Sequence, residues 1–323
     1  MKSLYRLLLV LASVLALGIE PVNTEAQAPQ IDAFVAFGDS LSDTGNLWLQ
    51  TRAVGQDPAI PPSVSPHMTY SDGRFSNGKV AFEYLWDHIN AGDDVKPFLA
   101  TLRVPQKGAV SFAFGASGSG VIDSSGPLFL PGLNGQVELF ASALRGRKPP
   151  RQALYAIFTG ANDYLGGPGV ALAPQVVVGN IVNAVQRLYA LGARDVMVLN
   201  LPNLGLIPLV PAELKEPLLQ LTIGHNFLLA QALNGLAAGL PDLRLIPVDV
   251  FTFTNELAAR PGAVLSPALP FPLSHCLFIN PAGCTDVETF DVDPKFFFWD
   301  AEHPTTATHA ALGAFLYSKL VPQ

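Results

Sequence analysis

The chain has 323 residues, of which 49% are hydrophobic and only 14% charged, and its formal net charge is −7. That balance supplies a sizeable core and argues against a disordered chain. No basic stripe interrupts it, which argues against nucleic acid as a partner.

In chain order, the first segment reads as an export signal spanning residues 1–28. Lys2 and Arg6 form a positive start, residues 7–17 are an apolar run too short to span a membrane, and Ala26 and Ala28 offer small-residue cleavage sites. Pro29 disfavours a cut after Ala28, so cleavage after Ala26 is preferred; an uncleaved anchor is the alternative. No Cys lies in this region, which argues against a lipid anchor. Residues 29–323 contain no internal repeat, no long linker and no stretch fit to span a membrane, and read as one domain. A secreted or periplasmic monomer is expected.

Five short apolar runs, at 33–37, 110–114, 154–158, 196–200 and 243–248, suit strands covered on both faces. Helical periodicity lies between them: residues 174–191, opened by Pro174 and stopped by Gly192, then 218–240 and 306–320. Strands alternating with helices predict a three-layer α/β/α sandwich around a mostly parallel sheet of about five strands. Active sites in such sheets form beyond the carboxyl ends of the strands. That rule selects Gly38-Asp39-Ser40-Leu41-Ser42, Gly115-Ala116-Ser117-Gly118 and Gly160-Ala161-Asn162-Asp163, with Trp299-Asp300-Ala301-Glu302-His303-Pro304 ahead of the last helix. Cys276 and Cys284 lie close together in a Pro-rich stretch. In an exported chain they read as one disulfide, with free thiols as the alternative. Two cysteines make no zinc site, and no cofactor or metal is called for.

A serine nucleophile needs an adjacent base. Ser40 sits where a tight turn leaves the first strand, although a helix N-cap is the commoner role for any one serine. Of the six histidines, His67, His88, His225, His275, His303 and His309, only His303 has a carboxylate three residues before it and a proline after it. Asp300 would then orient the imidazole; His309, in the final helix, is the weaker candidate. The Asn162 amide is a candidate oxyanion donor beside backbone N–H groups, with a simple turn asparagine as the alternative. Asp163 reads as a brace for that turn.

Phe37-Gly38-Asp39-Ser40-Leu41-Ser42-Asp43-Thr44-Gly45-Asn46 resembles block I of the GDSL (SGNH) lipases and esterases. Gly160-Ala161-Asn162-Asp163 resembles their block III, and Asp300-Ala301-Glu302-His303 their block V. Arg74-Phe75-Ser76-Asn77-Gly78 and Leu201-Pro202-Asn203-Leu204-Gly205 are similar to stretches of the plant-type and bacterial secreted branch. The resemblance runs from about Phe34 to Leu320. It implies an ester or lipid substrate, Ser40 as nucleophile, His303 as base, Asp300 as its partner, and Ser40, Asn162 and a block II residue around the oxyanion. Block II commonly carries paired glycines, the second giving its N–H. Here the pair is Gly115-Ala116, so which of the two donates stays open: a donor survives the change to alanine if the turn needs no positive φ, and a positive φ at Gly115 would make that glycine necessary.

Other readings compete. A nucleophile elbow Gly-x-Ser-x-Gly, a Gly-x-Gly-x-x-Gly after the first strand and a His-Glu-x-x-His are all absent. An acyltransferase or phospholipase using the same residues, or a non-catalytic secreted binding protein, remain alternatives to a hydrolase. Residues 260–280, with Leu265, Leu269, Phe271, Leu273 and Leu277, either wall the acyl site or simply pack against the surface.

Overall fold

Strand β1, Ala33–Gly38, is buried at every position and alternates its side chains between two cores. Ala33, Val35 and Phe37 enter one hydrophobic cluster, while Phe34 and Ala36 enter another. Such two-sided burial of a period-two strand requires a layer on each face of the sheet. The computed structural model describes residues 30–122, 130–166 and 172–321, except for the side chains of Phe271, His275, Phe278 and Ile279. The expected export signal lies outside the described residues.

The other strands of the central sheet are β2 (Val95–Pro97), β3 (Gly108–Ser111), β4 (Ala153–Phe158), β5 (Asp195–Leu199) and β6 (Arg244–Val248). Their order is β2-β3-β1-β4-β5-β6, and every pairing is parallel. The five expected strands are present, and the sheet gains a sixth. The added strand, β2, is only three residues long, ends in Pro97 and exposes Lys96, so it carries no apolar run to read. Strand β3 begins two residues earlier than expected and ends at Ser111, but Phe112 and Phe114 continue to bond the β1 carbonyls of Ala36 and Gly38.

Helices are α1 (Asn46–Ala53), α2 (Ala81–Ile89), α3 (Phe98–Thr101), α4 (Leu133–Leu144), α5 (Asn162–Leu165), α6 (Pro174–Leu191), α7 (Ala212–Gly239), α8 (Val250–Ala258), α9 (Phe271–Ile279) and α10 (Thr306–Ser318). The larger cluster packs α4, α6 and α7 on one face; the other joins α2, α8 and α10 on the opposite face. Helix α6 has the expected bounds. Helix α7 begins six residues before expectation because Pro217 lies inside it, a position that costs a backbone bond and reads as a stop in the sequence.

A short parallel pair, β7 (Val264–Pro267) and β8 (Phe296–Phe298), stands beside the main sheet. A third cluster joins Leu47, Tyr70, Phe75, Leu269, Leu277 and Trp299. Residues 65–70 and 284–287 are laced together there: His67 donates to the Cys284 carbonyl at 2.6 Å, Thr69 to the Thr285 carbonyl at 3.2 Å, and the Val287 N–H to the Met68 carbonyl at 3.0 Å. Cys276 and Cys284 have Cα atoms 5.3 Å apart and bonded sulfurs, within disulfide reach.

Candidate active site

The turn after β1 is built around Gly38. A Cβ there would stand 2.2 Å from the Phe158 carbonyl oxygen, so only glycine lets β1 and β4 end side by side. Gln136 of α4 clamps this residue: the Gly38 N–H donates to its Oε1 at 2.9 Å and its Nε2 donates to the Gly38 carbonyl at 2.8 Å. Downstream, the Asp43 carboxylate accepts from the N–H groups of Gly45, Asn46, Leu47 and Gly115. The Asn46 amide bonds the carbonyls of Ser111 and Ala113. Asp43 and Asn46 are thus framework, tying the turn after β1 to the exit from β3.

Ser40 stands in that turn and caps no helix; α1 starts later, after Gly45. The chain crosses 263 residues to bring His303 Nε2 within 2.9 Å of Ser40 Oγ. His303 Nδ1 lies 2.8 Å from Asp300 Oδ2. With Nδ1 against a carboxylate, the neutral ring keeps its proton there and leaves Nε2 to accept from the serine hydroxyl. Asp300 Oδ1 accepts the backbone N–H groups of Glu302 at 2.8 Å and His303 at 2.6 Å, and Tyr70 donates its hydroxyl to Oδ2 at 2.6 Å. Asp300 is wholly buried and His303 nearly so.

Arg74-Phe75-Ser76-Asn77-Gly78 supports this corner. The Phe75 ring lies 5.0 Å from the His303 ring, Ser76 donates to the Pro304 carbonyl, and Asn77 accepts the Thr306 N–H. A Cβ on Gly78 would press on Thr306 at 2.6 Å. The other histidines are engaged elsewhere. His67 bonds the Cys284 carbonyl, His88 stacks on Tyr317, His225 pairs with Tyr164, and His309 accepts the Ala81 N–H. The His275 side chain lies outside the described residues.

Asn162 lines the same cavity as Ser40; its amide donates to the Ser117 carbonyl at 2.9 Å and has a second N–H to offer. Asp163 braces the turn by accepting from the backbone and hydroxyl of Ser119, as expected. In the block II turn, where the sequence leaves a positive φ open, the strain sits at the second residue of the pair. Ala116, not Gly115, holds the left-handed backbone, with φ 62°. Gly115 is needed for space: a Cβ there would lie 2.4 Å from the Phe75 ring. Its N–H is already given to Asp43 at 2.8 Å. Of the two candidates weighed, the Gly115 N–H is thus engaged, which makes the Ala116 N–H the better candidate donor.

Residues 34–316 match the GDSL-like Lipase/Acylhydrolase family. The chain belongs to this family. As a GDSL enzyme it hydrolyses ester bonds. It is 26% identical to a GDSL esterase/lipase of Arabidopsis thaliana, the match covering 90% of this chain and 87% of the relative. It is also 26% identical to a phosphatidylcholine-sterol acyltransferase of Aeromonas hydrophila, with 93% of each chain covered. An acetylxylan esterase structure from Geobacillus stearothermophilus aligns at TM-score 0.46 and 12% identity, over 92% of this chain and 98% of that one.

Electrostatics in the GDSL site are set by burial and by the His303–Asp300 pair. Burial works against the charged ring of His303, but the Asp300 charge and hydrogen bond, with help from Glu302 and Asp39, outweigh it and raise the His303 pKa above 6.5. Burial likewise works against the Asp300 carboxylate, yet the His303 charge and the hydrogen bonds of His303 and Tyr70 hold it below its ordinary value. Asp39, beside the nucleophile, is pushed up to about 7 by burial, with the Leu41 N–H pulling the other way. Glu302 is also raised by burial.

A narrow cavity of about 80 Å³ opens at Ser40, Asn162 and His303 and runs between apolar walls. Leu204, Leu206 and Ile207 form one wall, Val250 and Phe253 of α8 another, and Phe297 and Phe298 of β8 a third. Among the described side chains of 260–280, none lines this cavity: Leu265 packs against the main core, and Leu269 and Leu277 join the cluster around Tyr70. The Phe271 side chain lies outside the described residues. Among the described residues, no group of His, Cys, Asp and Glu is arranged to hold a metal ion, and no helix is long and apolar enough to cross a membrane.

Proposed function

We propose that this GDSL hydrolase is a secreted serine esterase working through an acyl-Ser40 intermediate. The observation that carries the reading is the unbroken relay from Asp300 to His303 to Ser40, with contacts of 2.8 and 2.9 Å. In this mechanism His303 Nε2 takes the Ser40 proton as Oγ attacks the ester carbonyl, and Asp300 stabilises the imidazolium that results. The tetrahedral oxyanion faces the N–H groups of Ser40 and Ala116 and the free N–H of the Asn162 amide. His303 then protonates the departing alkoxide. Water, deprotonated by the same nitrogen, attacks the acyl carbonyl and releases the acid and Ser40.

The walls of the cavity favour an ester with an apolar acyl or alcohol group. Hydrolysis of p-nitrophenyl esters by wild type and by Ser40→Ala tests the assignment. Loss of activity by about 10⁴-fold or more in a folded variant is expected, and retention of a tenth of it refutes the role of Ser40. The Aeromonas relative favours a second outcome for the same intermediate, transfer of the acyl group to an alcohol. Product analysis with an added acceptor alcohol separates transfer from hydrolysis. Export is supported by the signal-like residues 1–28 and by the Cys276–Cys284 pair. Mass spectrometry of exported protein, with and without reduction, tests both: a full-length N-terminus or two free thiols contradicts the reading.

A further inference from the structure

We infer that Tyr70 is a positioning residue of this site: its hydroxyl, bonded to the same Asp300 oxygen that faces His303, fixes that carboxylate and limits how basic the His303–Asp300 pair becomes. The inference rests on the relay proposed above.

Tyr70 is fully buried, and its Oη lies 2.6 Å from Asp300 Oδ2, the oxygen that also accepts from His303 Nδ1 at 2.8 Å. Oδ1 is filled by two backbone N–H groups. Asp300 therefore meets four donors, and Tyr70 is the one that comes from outside its own turn. Burial, together with the Asp300 charge, drives the Tyr70 phenol well above its usual pKa, so Tyr70 remains a proton donor throughout the working range. Its backbone is anchored on both sides, with its own N–H on the Pro62 carbonyl at 2.9 Å and the following N–H, of Ser71, on the Ser76 carbonyl at 3.0 Å.

A hydrogen bond to a carboxylate stabilises its charged form. Removing it makes Asp300 a better proton acceptor and a stronger partner for imidazolium. Whichever of the two holds the added proton, the pair binds it more tightly, and the acid limb of kcat/KM moves to higher pH. Asp39, Glu302 and His309 also act electrostatically with His303, and they are unchanged in the comparison, so the difference reports Tyr70.

The experiment compares pH profiles of kcat/KM for wild type, Tyr70→Phe and a Leu269→Ala control from the same cluster. Tyr70→Phe is expected to lose about tenfold in kcat and to move the acid limb up by about 0.5 unit. Leu269→Ala is expected to lose stability with the limb in place. Should Tyr70→Phe fail to fold, 3-fluorotyrosine at position 70, a stronger donor of nearly the same shape, is expected to move the limb down. A limb that stays at the wild-type position in whichever Tyr70 variant folds overturns the inference, as does an equal shift in Leu269→Ala. Activity surviving in Ser40→Ala would instead overturn the relay itself, so the two failures are distinguishable.

Discussion

Gly115→Ala perturbs the site through space rather than through backbone conformation. The added Cβ would meet two carbons of the Phe75 ring at 2.4 Å and Leu47 Cδ2 at 3.0 Å, whereas relaxed carbon contacts lie near 3.5–4.0 Å. Overpacking of that kind costs about 1–3 kcal/mol, or roughly 2–6 °C in melting temperature for a domain of this size. Phe75 cannot give way freely, because its ring also lies 5.0 Å from the His303 ring and 6.4 Å from that of Tyr70. The displacement therefore reaches the base, and a shift approaching 1 Å there costs up to about 100-fold in rate. Ala116→Gly is the matched contrast. It relieves a left-handed alanine, worth about 1–2 kcal/mol, and loosens the unfolded chain by about 0.5–1 kcal/mol. A small net gain in stability is expected, with kcat/KM within about threefold. Differential scanning calorimetry and ester hydrolysis on both variants check this. A Gly115→Ala enzyme with wild-type melting temperature and kcat would refute the steric argument, and a large rate loss in Ala116→Gly would refute the strain assignment.

Asn162→Ala is expected to lower kcat by roughly 10²–10³-fold with little change in KM, because its amide acts on charge that develops only during reaction; near-normal kcat makes Asn162 a turn residue. The pH profile of kcat/KM in wild type is expected to rise through a value above 6.5, since the raised pKa of His303 keeps the base protonated, and idle, below it. A limb at or below 6.5 contradicts the coupling to Asp300. Leu206→Trp is expected to narrow the cavity, so that activity on long-chain p-nitrophenyl esters falls more than activity on the acetate. An unchanged chain-length profile removes the apolar walls from the acyl site.

The residues of the relay were legible because their signals are local. Asp300 and His303 are three apart in one turn, and Ser40 follows the first apolar strand within a recognisable motif. The sheet was legible for the same reason, since strands buried on both faces leave continuous apolar runs. Contacts that close over long distances left no such mark. Tyr70 meets Asp300 across 230 residues and Gln136 meets Gly38 across 98, and neither residue type announces its partner. The walls of the cavity could not be read, because apolar content tells that a segment is buried, not what it is buried against: Leu265 packs on the main core and Leu269 and Leu277 around Tyr70, the packing alternative for that stretch, while Leu204, Leu206, Ile207, Phe297 and Phe298 reach the site. The strain at Ala116 could be raised only as a condition, because alanine gives no sign of a left-handed backbone and the clue was the glycine that the family commonly places there.

The most direct test of the central claim is to label the purified enzyme with a fluorophosphonate and locate the adduct by peptide mass spectrometry. A serine activated by His303 is expected to carry the label at Ser40, at one adduct per active enzyme and in step with the loss of esterase activity. Complete inactivation with the adduct on another residue, and Ser40 unmodified, would contradict the account.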